Sequence, residues 1–166
     1  VTFSPDKAPT SGTITFTDGS SHNAATGQFT VSHGVLAGFL LASTTNDQIA
    51  GQAFDLGQIT AVDAKGNQVL NYSATVALSD TTGTISPSQS GTFTNGRLSS
   101  QLVTITKAQS GVAVTLTDSG KTAVTNNFAV NHGPLHHFQI NLTSPQNNDQ
   151  TWTGSNSLVA QDQWNN

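Results

Sequence analysis

The side chains in this sequence best suited to chemistry are histidines that recur in one local context. The chain reads FTVSHGVLAGF at 29–39 and FAVNHGPLHHF at 128–138, so a His-Gly pair holds the same place in both stretches. Histidine titrates near neutral pH and binds metals, so the pair could form a metal site or a pH sensor. A lone histidine at a repeated position is more typical of a residue packing between two domains, and we predict that role. The predicted interdomain junction residues are His33, Gly34, His132, Gly133 and Pro134.

Two further histidines could complete a metal site with the second pair. His136 and His137 lie close to His132 in the sequence. Adjacent residues of a strand point to opposite faces, so we expect these two side chains not to converge. The first stretch has Ala37 and Gly38 in their places, so a metal site here would not be common to both stretches.

Aspartate and asparagine in turns could supply the oxygen ligands that calcium prefers. The chain has no EF-hand pattern, and an aspartate in a turn commonly accepts hydrogen bonds from its own backbone. We therefore predict no cofactor and keep calcium as the alternative. The candidate calcium ligands are Asp63, Asn67 and Asp162.

The composition argues against several classes of function. The chain has no cysteine, no glutamate and no Gly-x-Ser-x-Gly motif, so we expect no enzyme. Its Lys and Arg residues number 5 and are scattered, which argues against nucleic-acid binding. No run of about 18 apolar residues is present, so we expect no membrane insertion. No secretion signal opens the sequence, and we expect any such signal to lie outside it.

The elements that must position these residues are predicted to be strands. Only 8% of the residues are charged, against about one quarter in a typical domain. All nine acidic residues are aspartates, and Thr, Ser, Asn, Gln and Gly dominate the polar residues. These residue types favour strands and turns over helix interiors, so the composition predicts an all-β fold.

The sequence also repeats itself. An offset of 99 positions brings ITAVDAKGN (59–67) onto LVAQDQWNN (158–166), and VTF (1–3) resembles VTI (103–105). A period of about 100 residues fits a β-sandwich of the immunoglobulin type rather than a solenoid unit. We predict three parts: C-terminal strands of a preceding repeat at 1–34, a complete repeat at 35–133, and N-terminal strands of a following repeat at 134–166.

About seven short strands are predicted in the complete repeat, separated by turn signals. Residues 53–63 (AFDLGQITAVD) are expected to form one strand with a bulge at Gly57. The alternation in YSATVALSD (72–80) predicts a half-buried strand. Its inward residues are predicted to be Ala74, Val76 and Leu78.

Several of these strings resemble a known type of domain. ITAVDAKGNQV, FTNGRLSSQLVTIT and GVAVTLTDSG, and most specifically the Asp-Ala-Lys-Gly-Asn turn at 63–67, are similar to bacterial Ig-like repeats of the invasin and intimin group. The resemblance implies tandem immunoglobulin-like β-sandwiches in a secreted or cell-surface rod. The second turn, at 162–166, departs from the pattern because it lacks the glycine, so its conformation could differ.

These observations lead to two hypotheses about function. The first is a structural segment of a multi-repeat extracellular or cell-surface protein, acting as a stalk, adhesin rod, or filament or sheath component. Its partners would be the neighbouring repeats, with self-assembly or a surface ligand as further possibilities. The alternative is a binding module, either adhesive or a carbohydrate-binding accessory domain. An exposed row of aromatic side chains would favour the alternative.

Overall fold

The structure, a computed structural model, describes residues 5–8, 10–42 and 45–166. The VTF stretch at 1–3 therefore lies outside the described residues, and its predicted match to 103–105 stays a prediction. The described residues form strands and turns and contain no helix, which confirms the predicted all-β class. None of them belongs to a helix that is long and apolar enough to cross a membrane.

The strands are short, and they fall into a middle group and two flanks. The first flank contains β1 (Thr10–Gly12), β2 (Thr15–Thr17), β3 (Asn23–Ala25) and β4 (Phe29–Val31). The middle group contains β5 (Gly38–Leu41), β6 (Gln48–Ile49), β7 (Ala53–Asp55), β8 (Ile59–Val62), β9 (Ala77–Asp80), β10 (Arg97–Leu98), β11 (Leu102–Thr104), β12 (Gln109–Val112), β13 (Val114–Asp118), β14 (Lys121–Val124) and β15 (Phe128–Asn131). The second flank contains β16 (His137–Asn141) and β17 (Ser157–Gln161).

The middle strands pair into small sheets. β8 lies between β5 and β10, β13 lies between β9 and β14, and β7 pairs with β11, all antiparallel. β15 pairs antiparallel with β12 and parallel with β6. Each flank forms antiparallel strand pairs of its own: β1 with β4, β2 with β3, and β16 with β17.

The middle sheets enclose one apolar core and together form a β-sandwich. The alternating residues Val114 and Leu116 of β13 are both 0% exposed, as the period-two pattern predicts. An aromatic group closes one side of the core: the ring of Phe39 lies 5.5 Å from Tyr72 and 5.8 Å from Phe93, centroid to centroid. The predicted junction residues His132, Gly133 and Pro134 directly follow β15, and the calcium candidates Asp63 and Asn67 lie in the turn after β8.

Two strand predictions need correction. Residues 53–63 form two strands in different sheets, because Gly57 has a φ of +76° and turns the chain there. In the 72–80 stretch only residues 77–80 form a strand. Val76 and Leu78 are buried as predicted, but Ala74 is exposed.

The flanking strand pairs lack a full covering layer among the described residues. Phe138 and Ile140 of β16 are 57% and 66% exposed. Phe39 holds the place of Phe138 at the offset of 99 and is buried in the middle sandwich. The same sequence pattern is therefore buried where a second layer is present and exposed where none is described.

Candidate functional site: two junctions with matching hydrogen bonds

The first Asp-Asn turn, residues 63–67, directly follows β8. Asp63 Oδ1 accepts hydrogen bonds from the backbone N–H groups of Lys65 and Asn67, both at 2.9 Å. Gly66 has a φ of +80°, which suits glycine, and lets the chain close the turn. Sequence and local hydrogen bonding thus fix an Asx-type turn whose carboxylate keeps its second oxygen for another donor.

That second oxygen joins the turn to the end of the preceding segment. Gly34 N donates to Asp63 Oδ2 at 2.7 Å, although the two residues are 29 positions apart. The approach is close: a Cβ placed on Gly34 would lie 3.3 Å from this oxygen. The glycine of the His-Gly pair therefore gives the carboxylate access to the backbone.

Asn67 makes a second connection between the same two parts of the chain. Its side-chain Nδ2 donates to the backbone carbonyl of Asp6 at 2.9 Å, and its Oδ1 accepts from Ala8 N at 2.8 Å. Nδ2 also donates to Asp63 Oδ2 at 3.0 Å, which fixes the orientation of the amide. The turn thus holds the segment before residue 35 at two separate places.

The second Asp-Asn turn, residues 162–166, makes the same contacts at the other junction. Asp162 Oδ1 accepts from Trp164 N and Asn166 N at 2.9 Å, and Asp162 Oδ2 accepts from Gly133 N at 2.8 Å. Asn166 Nδ2 donates to the Thr106 carbonyl at 2.8 Å, and Asn166 Oδ1 accepts from Ala108 N at 2.8 Å. The cross-junction donors and acceptors match those of the first junction, while Asn67 makes one further bond, from Nδ2 to Asp63 Oδ1 at 3.2 Å.

The missing glycine of the second turn does not change its conformation. Asn165 replaces Gly66 and adopts a φ of 65°, in the same left-handed region. Asparagine tolerates this region better than other side chains. The sequence left open whether this turn differs, and the structure gives it the same hydrogen bonds.

The two histidines predicted to lie at the junctions have the same local contact. Nδ1 of His33 donates to the carbonyl of Gly34 at 2.8 Å, and Nδ1 of His132 donates to the carbonyl of Gly133 at 2.8 Å. The carbonyl can only accept, so in each ring Nδ1 carries the hydrogen. Each histidine therefore binds the carbonyl of the same glycine whose N–H donates to the carboxylate. Pro134 follows Gly133 and lines the groove beside the second turn.

Both aspartates are held in the ionised form. The Gly34 amide, followed by the Asn67 side chain, holds the pKa of Asp63 well below its usual range. Burial opposes the charge on Asp162, but hydrogen bonds from Asn166, Gly133 and Trp164 outweigh it and hold its pKa well below the usual range too. The carboxylates thus act as permanent acceptors near neutral pH.

The three calcium candidates are placed in this hydrogen-bond network. The oxygens of Asp63 and Asp162 face N–H donors, and the amide of Asn67 bridges to the backbone. A calcium ion at these atoms would have to displace those donors, and calcium binding stays a prediction. In the described parts of the chain no three His or Asp side chains lie close enough to hold a metal.

One expectation about the other histidines is wrong. Nδ1 of His136 lies 3.2 Å from Nδ1 of His137, so the side chains do not point to opposite faces. The reason is that β16 begins at His137, and His136 lies outside the alternation of the strand. Neither ring is joined by a third ligand among the described residues.

The two junctions differ at the residue two places after the aspartate. At the first junction Lys65 Nζ lies 3.0 Å from a carboxylate oxygen of Asp6. At the second junction the ring of Trp164 lies directly on Gly51, where an added Cβ would be 1.6 Å from Trp164 Cη2. Sequence reasoning did not identify Gly51, Asp6 or Thr106, because their partners are far away in sequence.

Aromatic side chains do not form an exposed row on the middle sandwich. The aromatic residues between 35 and 133 are all buried or half-buried: Phe39, Phe54, Tyr72, Phe93 and Phe128. The exposed aromatic side chains among the described residues belong to the flanks, for example Trp152 at 58%. The surface feature that would favour a carbohydrate-binding module is therefore missing from the described middle sandwich.

Comparison with known proteins gives a limited result. No known protein family and no curated protein matches the chain. Solved structures of surface layer protein SbsC are similar to it: domains 1–6 at 18% identity and a TM-score of 0.44, over 95% of this chain and 20% of that one. Domains 4–9 give 18% and 0.45, over 93% and 24%, and a crystal structure of the S-layer protein rSbsC gives 17% and 0.42, over 93% and 25%. The chain spans about a quarter or less of the proteins that it resembles.

Proposed function

We propose that this chain is a structural segment of an extracellular multi-repeat protein, with repeats joined into a stiff rod at 33–35 and 132–134. Such a rod would serve as a stalk, an adhesin shaft or a filament component. The observation that carries the proposal is the matching cross-junction hydrogen bonding of the two Asp-Asn turns. The turn of each repeat holds the repeat before it.

Stiffness follows from the two separate attachments at each junction. A single linker peptide lets one domain swing about it, whereas a second contact away from the linker removes most of that freedom. At the second junction, the linker contact is Gly133 to Asp162, and the other contact joins Asn166 to Ala108 and Thr106. A rod element needs restraints of this kind.

The energies support a junction that stays closed. The two bonds of Asn166 are neutral and contribute about 0.5–1.5 kcal/mol each, and the bond to the buried Asp162 carboxylate contributes about 1.5–3 kcal/mol. Together these amount to about 2.5–6 kcal/mol, several times the thermal energy. The first junction repeats the same bonds, so bending at either site is expected to be rare.

The proposal is tested by the spread of distances across the second junction. The chain contains no cysteine, so spin labels can be attached at Ser99→Cys and Ser157→Cys, both exposed positions on opposite sides of the junction. We expect a narrow distance distribution that broadens in Asn166→Ala. Asn71→Ala, an exposed asparagine of the middle sandwich, serves as the control and should leave the distribution narrow. An Asn166→Ala distribution as narrow as that of the parent would refute the stiff junction.

A further inference from the structure

We infer that the residue two places after the turn aspartate, Lys65 or Trp164, determines which repeat can stack on which. This inference rests on the proposed function and deepens it. The Asp-Asn turn is common to both junctions and cannot distinguish one neighbour from another. The contacts of Lys65 and Trp164 differ, and each requires a matching residue on the preceding repeat.

Trp164 requires a glycine. Gly51 has a φ of +77°, and its backbone N–H is fixed by a hydrogen bond to the Ile105 carbonyl at 2.9 Å. The Trp164 ring occupies the space where any side chain at residue 51 would begin, since three of its ring carbons lie within 2.3 Å of the Cβ position. Only a preceding repeat with glycine at this place can accept tryptophan.

Lys65 requires an acid instead. Its partner Asp6 contributes the backbone carbonyl that Asn67 binds, and at the second junction Thr106 contributes that carbonyl. Thr106 therefore holds the place of Asp6, and it offers no charge. The first junction pairs lysine with aspartate, and the second pairs tryptophan with glycine and leaves threonine at the acidic place. If lysine replaced Trp164 at the second junction, it would face Thr106 and have no carboxylate partner there.

The Lys65–Asp6 contact and the Trp164–Gly51 contact differ in how far solvent reaches them. The side chains of Lys65 and Asp6 are 62% and 69% exposed, so solvent and salt screen their attraction. The ion pair therefore contributes little to the stability of the junction and acts mainly on the choice of neighbouring repeat. Trp164 is only 37% exposed and packs in a groove that Pro134 also lines. The tryptophan junction is therefore expected to exclude foreign repeats by shape, and the lysine junction by charge.

The shape requirement is tested with Gly51→Ala in a Trp152→Phe background, where Trp164 is the remaining tryptophan. We expect the added methyl to expel the ring, with a red shift of its emission and stronger acrylamide quenching. Gly83→Ala is the matched control, because Gly83 has a similar φ of +72° but nothing within 4 Å of its Cβ position. Unchanged Trp164 emission in Gly51→Ala would overturn the shape requirement.

The charge requirement is tested by transplanting the first contact to the second junction. Trp164→Lys should broaden the spin-label distances between residues 99 and 157, and Trp164→Lys with Thr106→Asp should narrow them again at low salt. No recovery in the double variant would overturn the inference. If Asn166→Ala still broadens the distances in that case, the stiff junction stands and only its selectivity is refuted; if Asn166→Ala has no effect, the proposed function itself is refuted.

Discussion

Removing the Asp162 carboxylate should open the second junction and leave the middle sandwich folded. In Asp162→Ala, three backbone N–H groups lose their acceptor: those of Gly133, Trp164 and Asn166. Asp162 is 2% exposed, so water reaches its place poorly. A buried donor without a partner costs about 1–3 kcal/mol. We take the lower value for each, because two of the donors belong to residues at the surface, and obtain about 3 kcal/mol, or roughly a 100-fold change in the opening equilibrium.

The assay is amide hydrogen exchange followed residue by residue by NMR. We expect protection at Gly133 to fall about 100-fold in Asp162→Ala. Protection at Val114, in the core strand β13, should stay as it is in the parent. Gln163→Ala changes the exposed neighbour of the aspartate and serves as the control. If Gly133 keeps its protection in Asp162→Ala, the carboxylate does not hold the junction and the reasoning is refuted.

Three further predictions concern the same turns. The folded pKa values of Asp63 and Asp162 are depressed, so their contribution to stability is full above the ordinary pKa of 3.8 and is lost as the pH falls below it. A thermal midpoint that stays constant between pH 7 and pH 2 would contradict this. Asn165→Gly should match the parent in stability, while Asn165→Ala should lose about 1 kcal/mol at its φ of 65°, as measured by local exchange; equal losses would exclude left-handed strain as the cause. A chelator should leave the thermal midpoint unchanged, and a lower midpoint would show that calcium binds.

The sequence predicts the fold well where alternation decides burial. Val112, Val114 and Leu116 follow period two and are all buried. The prediction was wrong at Gly57, because a glycine inside a strand pattern suits both a bulge and a change of sheet. Which of these occurs depends on the partner strand, and β11 pairs with β7 although the two strands are far apart in the sequence.

The junction was only partly predictable. The offset of 99 relates Asp63 to Asp162 and Gly34 to Gly133, so the repeated residues could be found. Their pairing could not, because a carboxylate in a turn gives no sequence signal for a donor 29 positions away. A calcium ion and a backbone N–H group both bind to carboxylate oxygens, so the residue type alone does not distinguish a metal site from a hydrogen-bonded turn.

The two oxygens of Asp162 accept from different backbone N–H groups, and this division can be tested by one isosteric change. Oδ1 of Asp162 accepts from the backbone N–H groups of its own turn, while Oδ2 accepts from Gly133 across the junction and from the Asn166 side chain. Asp162→Asn can place its remaining oxygen at the first position, where the turn N–H groups need an acceptor. Its NH2 group then faces two donors, the Gly133 N–H and the Asn166 side-chain NH2, and donors cannot bond to each other. We therefore expect protection to persist at Trp164 and fall at Gly133, with broader spin-label distances. An equal loss of protection at both amides would mean that the turn and the junction open together. The stiffness of the rod would then depend on the turn staying folded and not on the Gly133 bond alone.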